Sequence, residues 1–174
     1  MSDIKFGSIS TTVDTAFRIA QKAHHGQKRA RKDPYIAHPI RVATRVSEVY
    51  RGYSKEYIDK AVSVALLHDA IEDGPSSIDE EIKDALGFDV YSLVYQLSVG
   101  TEKTPDADTY YQTYIKKLIE TKNDILIAVK YMDMQDNILD LTQLTVTPFI
   151  KLYTKYSEAL KILHPAFTQS DLFL

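Results

Sequence analysis

Three features of the sequence predict an all-α domain of about seven or eight helices. Apolar residues recur at three- and four-residue spacing along most of the chain, helix caps and stops punctuate those runs, and convincing period-2 strand patterns are missing. At 174 residues the chain fits one domain, 1–174, large enough to bury about two-thirds of its surface without cross-links. No internal repeat or linker-like shift in composition divides it.

Residues 11–25 place Val13, Ala16, Phe17, Ala20, Ala23 and His24 on one stripe, with Thr11 or Thr12 as cap and Gly26 as stop. The basic stretch QKRARKDPYIAHP follows as a loop. Asp33-Pro34 favours a turn there, and Pro39 suits the first turn of a helix that begins near His38 and runs to Tyr50. Its inward face is Ile40, Val42, Ala43, Val46 and Val49; Arg41 and Arg45 share another face one turn apart. After Gly52, Ser54 caps the next helix, which contains AVSVALLHDAIEDG, residues 61–74, and stops at Gly74-Pro75. Ser77-Ile78-Asp79-Glu80 has capping-box spacing for a short helix closed by Gly87. Residues 88–98 form another, with Val90, Leu93, Val94 and Leu97 apolar, and Gly100 to Asp108 reads as a loop. Helices over about 109–120 and 124–141 follow, then a last one over about 148–163. The tail SDLFL is apolar for a terminus and suits packing on the domain or on another subunit.

The chain contains no cysteine, which excludes disulfides, iron–sulfur clusters, thiolate zinc sites and cysteine nucleophiles. Any metal site must therefore use nitrogen and oxygen ligands. No stretch reaches the roughly 18 apolar residues of a membrane span, and the start MSDIKFGSIS lacks a signal-peptide core, so a cytoplasmic protein without a membrane partner is expected. A formal net charge of −3 gives no global pull towards a nucleic acid polymer. Locally, Lys22, Lys28, Arg29, Arg31 and Lys32 cluster while acids dominate from Glu72 to Asp89. That asymmetry suits a small polyanion beside a metal, and equally two solvated surfaces of opposite sign.

The stretch 61–74 is the most informative. It is apolar almost all round, which marks a buried helix, yet it ends in His68, Asp69, Glu72 and Asp73. Buried ionisable groups need a partner, a shifted pKa or a metal. On a continuous helix Glu72 lies one turn beyond His68 and Asp69, and Asp73 one turn beyond Asp69. A second cluster answers the first: Asp133, Asp136, Asn137 and Asp140 share one face of the 124–141 helix. Like charges so spaced repel and call for a cation, although the wet face of an amphipathic helix accounts for them equally well. Together, His38, His68, Asp69 and Asp133 offer two imidazoles and two carboxylates, a set that suits manganese, iron or zinc better than calcium. Neighbouring ligands such as His68 and Asp69 diverge by about 100° on a helix, so the metal must sit at the helix end.

The ordered motifs AHHGQKRARKDPYIAHPIRVA, ALLHDAIEDG and VKYMDMQDN, over about residues 12–142, resemble the HD-domain hydrolases of the RelA/SpoT type, in particular the stand-alone small alarmone hydrolases. The resemblance implies an HD-type helical bundle, one Mn2+ ion (Fe2+ or Zn2+ as other choices) and removal of the 3′-pyrophosphate from guanosine tetra- or pentaphosphate. It places His38, His68, Asp69 and Asp133 as metal ligands and Glu72 and Asp73 as the acidic pair that handles water and protons. Arg29 and Asn137 match nucleotide contacts, and Asp140 stands where a nucleotide-binding threonine is usual. Arg29, Lys32 and Arg41 are the cations available to charge accumulating on a phosphoryl group.

The chain departs from the family in Asp133-Met134-Gln135-Asp136-Asn137, where an arginine and a histidine are usual at the second and fourth positions. Ala30 also replaces a common second basic residue. The metal set is complete while the nucleotide contacts differ. Two other functions are therefore compatible with the sequence: hydrolysis of another nucleotide phosphate, such as a nucleoside 5′-monophosphate or an adenine alarmone, and a non-catalytic nucleotide-binding or antitoxin-like module. Tyr110, Tyr111 and Tyr114 precede the last ligand helix and suit core packing better than base stacking, and His24 suits a structural role.

Overall fold

The computed structural model describes residues 10–29, 32–98 and 107–169, with only the backbone of residues 107–110 and 143. The start of the chain, Ala30 and Arg31, most of the loop expected from Gly100, the SDLFL tail and the Tyr110 side chain lie outside the described residues. Among those residues there are eight α-helices and no strand. They are α1 (Thr11–Ala23), α2 (Ala37–Val49), α3 (Lys55–Leu67), α4 (Ala70–Asp73), α5 (Ile78–Ser98), α6 (Ala107–Glu120), α7 (Asp124–Asp140) and α8 (Val146–Gln169). The all-helical class expected from the sequence is the one observed.

Caps set most of the boundaries. Ser10, not Thr11 or Thr12, starts α1, its hydroxyl accepting from the Val13 N–H at 3.2 Å. Ser54 caps α3 as expected, accepting from the Tyr57 N–H at 3.3 Å. Asn123 caps α7, its carbonyl accepting from the Leu126 N–H at 3.1 Å. Helix α2 begins at Ala37, so His38 lies inside its first turn. Gly87 has φ 83° and ψ 167°, which breaks the run of α5 in two where a stop was expected. The last helix starts earlier and ends later than the 148–163 of the sequence, despite Pro165 within it. Tertiary packing carries it on: Phe167 stacks on Tyr131 with ring centres 4.3 Å apart, and Ala159 and Leu163 are fully buried.

Helices α1 and α2 pack on α3, and α7 lies between α2 and α8. The core they share includes Val42, Val46, Val64, Leu67, Ile115, Leu126 and Leu163, each fully buried. Burial of such a side chain contributes about 1.5–3 kcal/mol. Ile40 corrects the inward face expected for α2. It is 39% exposed, on the rim of an apolar groove with Val13, Phe17 and Val62.

The main correction concerns the central stretch. Residues 61–74 are not one helix, because α3 ends at Leu67 and His68 and Asp69 form a turn before the single turn of α4. His68 and Asp69 keep right-handed helical backbone angles through the turn (φ −55°, ψ −30° and φ −103°, ψ −3°), so both reach one point because that point lies at the end of α3. Gly74 then allows α4 to press on α1. A Cβ there would fall 2.4 Å from the Ala70 carbonyl oxygen and 3.0 Å from Ala23 Cβ. No helix among the described residues is long and apolar enough to cross a membrane.

Candidate active site

Two imidazoles from α2 and the α3–α4 turn face each other at the centre of the bundle. The Nδ1–H of His38 donates to Asp136 Oδ2 at 2.7 Å, and that of His68 to the Ala65 carbonyl at 2.7 Å. Both partners can only accept, so each ring keeps a proton on Nδ1 and turns its Nε2 towards the other ring. These two Nε2 atoms lie 3.2 Å apart. Asp133 Oδ1 is 3.2 Å from the His38 Nε2 and 3.5 Å from that of His68, and Asp69 Oδ2 lies 3.6 and 3.2 Å from the same atoms. Ligand atoms of His38, His68 and Asp69 fall within 4.8 Å of one another.

Four lone-pair groups so close repel unless positive charge sits among them. Protons show the same demand. Burial opposes an imidazolium at His38, yet hydrogen bonds to Asp133, Asp136 and Asp69 raise it to about 9. At His68 burial again opposes the charge, while the Asp69 charge and the Asp133 hydrogen bond raise it to about 10. Asp69 and Asp133 stay well below the usual carboxylate range: burial works against them, but the His68 charge holds down the first and the Lys130 charge the second. A set of two nitrogens and two carboxylate oxygens, with both tautomers fixed, fits a divalent transition metal.

Of the proposed acid pair, Asp73 follows Asp69 by one turn, its N–H bonded to the Asp69 carbonyl at 3.0 Å. Gln27 Nε2 donates to the Asp73 carbonyl at 2.7 Å. Asp73 reaches solvent on one side, yet partial burial and the Asp69 charge raise its carboxyl above the ordinary value. Glu72 stands beside it, exposed, on α4.

Three of the expected nucleotide contacts come together. Arg29 donates to Asn137 Oδ1 at 2.6 Å and pairs with Asp140 Oδ2 at 2.6 Å, its guanidinium 5.4 Å from the centre of the Tyr35 ring. Arg41 is placed differently from a cation open to phosphate. It grips Asp136 through Nε at 2.9 Å and Nη2 at 2.8 Å, and reaches Asp140 at 3.4 Å. Lys32 is exposed on the loop turn at φ 64°.

The wet-face alternative for α7 does not hold, since Asp133, Asp136 and Asp140 are 2%, 1% and 8% exposed. Asp136, expected as one acid of the α7 cluster and given no role of its own, belongs to the site. It fixes the His38 tautomer and is held by Arg41 and, at 3.2 Å, by Arg45. Its signal was the pair Arg41 and Arg45 at helical spacing opposite an acid. Tyr35 donates to Asp69 Oδ2 at 2.7 Å, and buried Lys130 contacts Asp133 Oδ2 at 3.0 Å. A lysine inside the apolar run ILIAVKYM was the available sign for the latter.

The profile of the HD domain matches residues 16–129. The chain belongs to the HD-domain family. It is 33% identical over 131 residues to a guanosine-3′,5′-bis(diphosphate) 3′-pyrophosphohydrolase of Aquifex aeolicus, covering 74% of this chain and 18% of that protein. With the enzyme of the same name from Haemophilus influenzae it shares 30% over 129 residues, 72% of this chain and 18% of the relative. The chain thus spans about 18% of the length of the curated relatives it matches. A solved structure described as "A metazoan ortholog of SpoT hydrolyzes ppGpp and plays a role in starvation responses" aligns with TM-score 0.70 at 22% identity, over 95% of this chain and 99% of that one. At that identity the likeness carries the HD fold. It extends beyond the family profile, which stops before Asp133.

Proposed function

We propose that residues 1–174 act as one HD-type unit in the cytoplasm, a metal-dependent phosphohydrolase that removes the 3′-pyrophosphate of (p)ppGpp-like nucleotides. The observation that carries this is the meeting of two imidazole Nε2 atoms, 3.2 Å apart, beside two ligand carboxylates. The names of the curated relatives support the substrate class.

His38, His68, Asp69 and Asp133 hold the cation, with Mn2+ the first choice for this nitrogen and oxygen set. When bound, it supplies Lewis acidity towards water and a phosphoryl oxygen. The protein supplies proton transfer and positioning. Glu72 takes the proton from the attacking water as the new P–O bond forms. Asp73, whose carboxyl is held above its ordinary value by partial burial and the Asp69 charge, gives a proton to the departing 3′-oxygen as the old P–O bond breaks. Pyrophosphate and a nucleotide with a free 3′-hydroxyl result. Arg29 and Asn137 hold the nucleotide, with Lys32 meeting its phosphates from the loop, and Asp140 sets how much of the Arg29 charge is available.

One observation favours a second substrate, a nucleoside 5′-monophosphate. Arg41 and Arg45 have their charge matched by Asp136 and Asp140, which leaves fewer cations for a highly charged ligand. The test is product release from guanosine and adenosine 3′-pyrophosphates, nucleoside monophosphates and a generic phosphodiester with added Mn2+, run beside Asp69→Ala. Pyrophosphate from the 3′-pyrophosphates alone, absent in the variant, is expected. Turnover of monophosphates alone would replace the first substrate by the second, and silence with metal bound would leave a binding module.

A further inference from the structure

Lys130 is 7% exposed in the centre of α7, where a methionine or leucine would complete the core. Its Nζ lies 3.0 Å from Asp133 Oδ2 and faces the rings of Tyr111 and Tyr114 at 5.9 and 5.7 Å. Both rings are tied down. The Tyr114 hydroxyl donates to the Leu97 carbonyl at 2.8 Å, and that of Tyr111 contacts Met134 Sδ at 2.8 Å. Two rings anchored on α5 and α7 therefore flank an ammonium aimed at one oxygen of one carboxylate, with Lys155 Nζ 4.1 Å from the centre of the Tyr111 ring as well. The other oxygen, Oδ1, accepts from Asn137 Nδ2 at 2.6 Å and faces both imidazoles.

On the reading that this cluster holds a metal, we propose that Lys130 is a positioning residue: it occupies Asp133 Oδ2, so that the carboxylate presents Oδ1 alone to the cation. A carboxylate with both oxygens free can rotate or bind through both. Lys130 and Asn137, one turn before and one turn after Asp133 on the same helix, remove that freedom. The two tyrosines act through Lys130 and not on the substrate. This gives the Tyr111–Tyr114 pair a task beyond core packing, and it explains a buried charge that the hydrolytic steps do not use.

The absence of cysteine makes a clean test possible. Lys130→Met and Lys130→Cys remove the ammonium, and alkylating the single thiol with 2-bromoethylamine in denaturant, followed by refolding, restores a lysine-like amine. The readouts are the affinity for Mn2+ and the visible spectrum of the Co2+ form. Both neutral variants are expected to bind Mn2+ about 10- to 100-fold more weakly, the loss usual for a residue that orients a metal ligand. Their Co2+ spectra are expected to change, and aminoethylation to restore both properties. Folded variants with unchanged affinity and spectrum, even at lower Tm, would overturn the proposal, as would aminoethylated protein that refolds without recovering either. If Lys130→Met fails to fold, the alkylated and unalkylated Cys forms decide. The wild type separates the two levels. No bound cation, or one that survives Asp69→Ala, defeats the metal reading; a cation lost in Asp69→Ala and untouched by Lys130→Met defeats only the role of Lys130.

Discussion

The imidazole–carboxylate centre and the arginine–acid face beside it are built on opposite plans. In the centre, Asp69 apart, the atom of each ligand that does not face its neighbours has one partner: Asp136 for His38, the Ala65 carbonyl for His68, Lys130 for Asp133. Those ligands are buried, and the atoms left over converge. On the adjoining face Arg29, Arg41 and Arg45 share Asp136 and Asp140 among them, and the Arg41 side chain is 37% exposed. Groups with one partner cannot change singly without orphaning a buried atom, whereas cations and acids that satisfy each other can be exchanged in pairs. This is a physical reason for the centre to tolerate less change than the face beside it.

The largest effect expected lies in the centre. Asp69→Ala or His68→Ala should abolish stoichiometric Mn2+ binding and turnover together, a loss beyond the roughly 100-fold that a supporting residue costs. Metal analysis of the purified variants checks this, and activity retained without bound metal would break the comparison at its root. Asp136→Asn comes next and tests the joint between the two regions. An amide can turn its NH2 towards His38 Nδ1 and favour the wrong tautomer, so Mn2+ affinity should fall about 10- to 100-fold. It also strips Arg41 and Arg45 of a buried counter-charge, so Tm should fall as well. An Asn variant with wild-type affinity would show that the two regions are independent.

How much of this the sequence reveals follows the same division. Helix number and the Ser54 cap are legible because capping and apolar spacing act locally. The four ligand candidates are legible because chemistry restricts their residue types. The break between Leu67 and Ala70 is not, since nothing in ALLHDAIEDG departs from helical spacing; the turn is selected by the burial of His68 against α2 and α7. The fate of Arg41 is equally hidden. Its spacing marks a face but not what lies opposite, and only the packing of α2 on α7 brings Asp136 to it.

A pH series sharpens the comparison further. In metal-free protein the raised pKa values of about 9 for His38 and about 10 for His68 stabilise the fold fully below 6.5, and that contribution is lost as pH rises through 9 to 10. The lowered values of Asp69 and Asp133 work in the other direction, giving stability above 3.8 that is lost on acidification. With chelator present, Tm should therefore be highest between these limits, at mildly acid pH. Mn2+ must displace the protons, so the gap in Tm between loaded and metal-free protein should widen from pH 6.5 to 9, with proton release seen by calorimetry in two buffers. A constant gap would mean that the cation binds elsewhere.

The smallest effect expected is the most informative about substrate. Arg29 is the cation proposed for the nucleotide, and it pairs with Asp140 at 2.6 Å. Arg29→Ala should raise KM for a guanosine 3′-pyrophosphate about tenfold, the scale of one charge-assisted hydrogen bond, with Mn2+ affinity near wild type and Tm lowered by the loss of the Asp140 pairing. Asp140→Asn should act in the opposite sense, because it frees Arg29 for phosphate. Its gain should grow with ligand charge and be small for a monophosphate. In the double variant the Asp140→Asn gain should vanish, because the arginine it frees is gone. If Asp140→Asn instead weakens both ligands alike, the Arg29–Asp140 pair is part of the scaffold and does not discriminate among nucleotides.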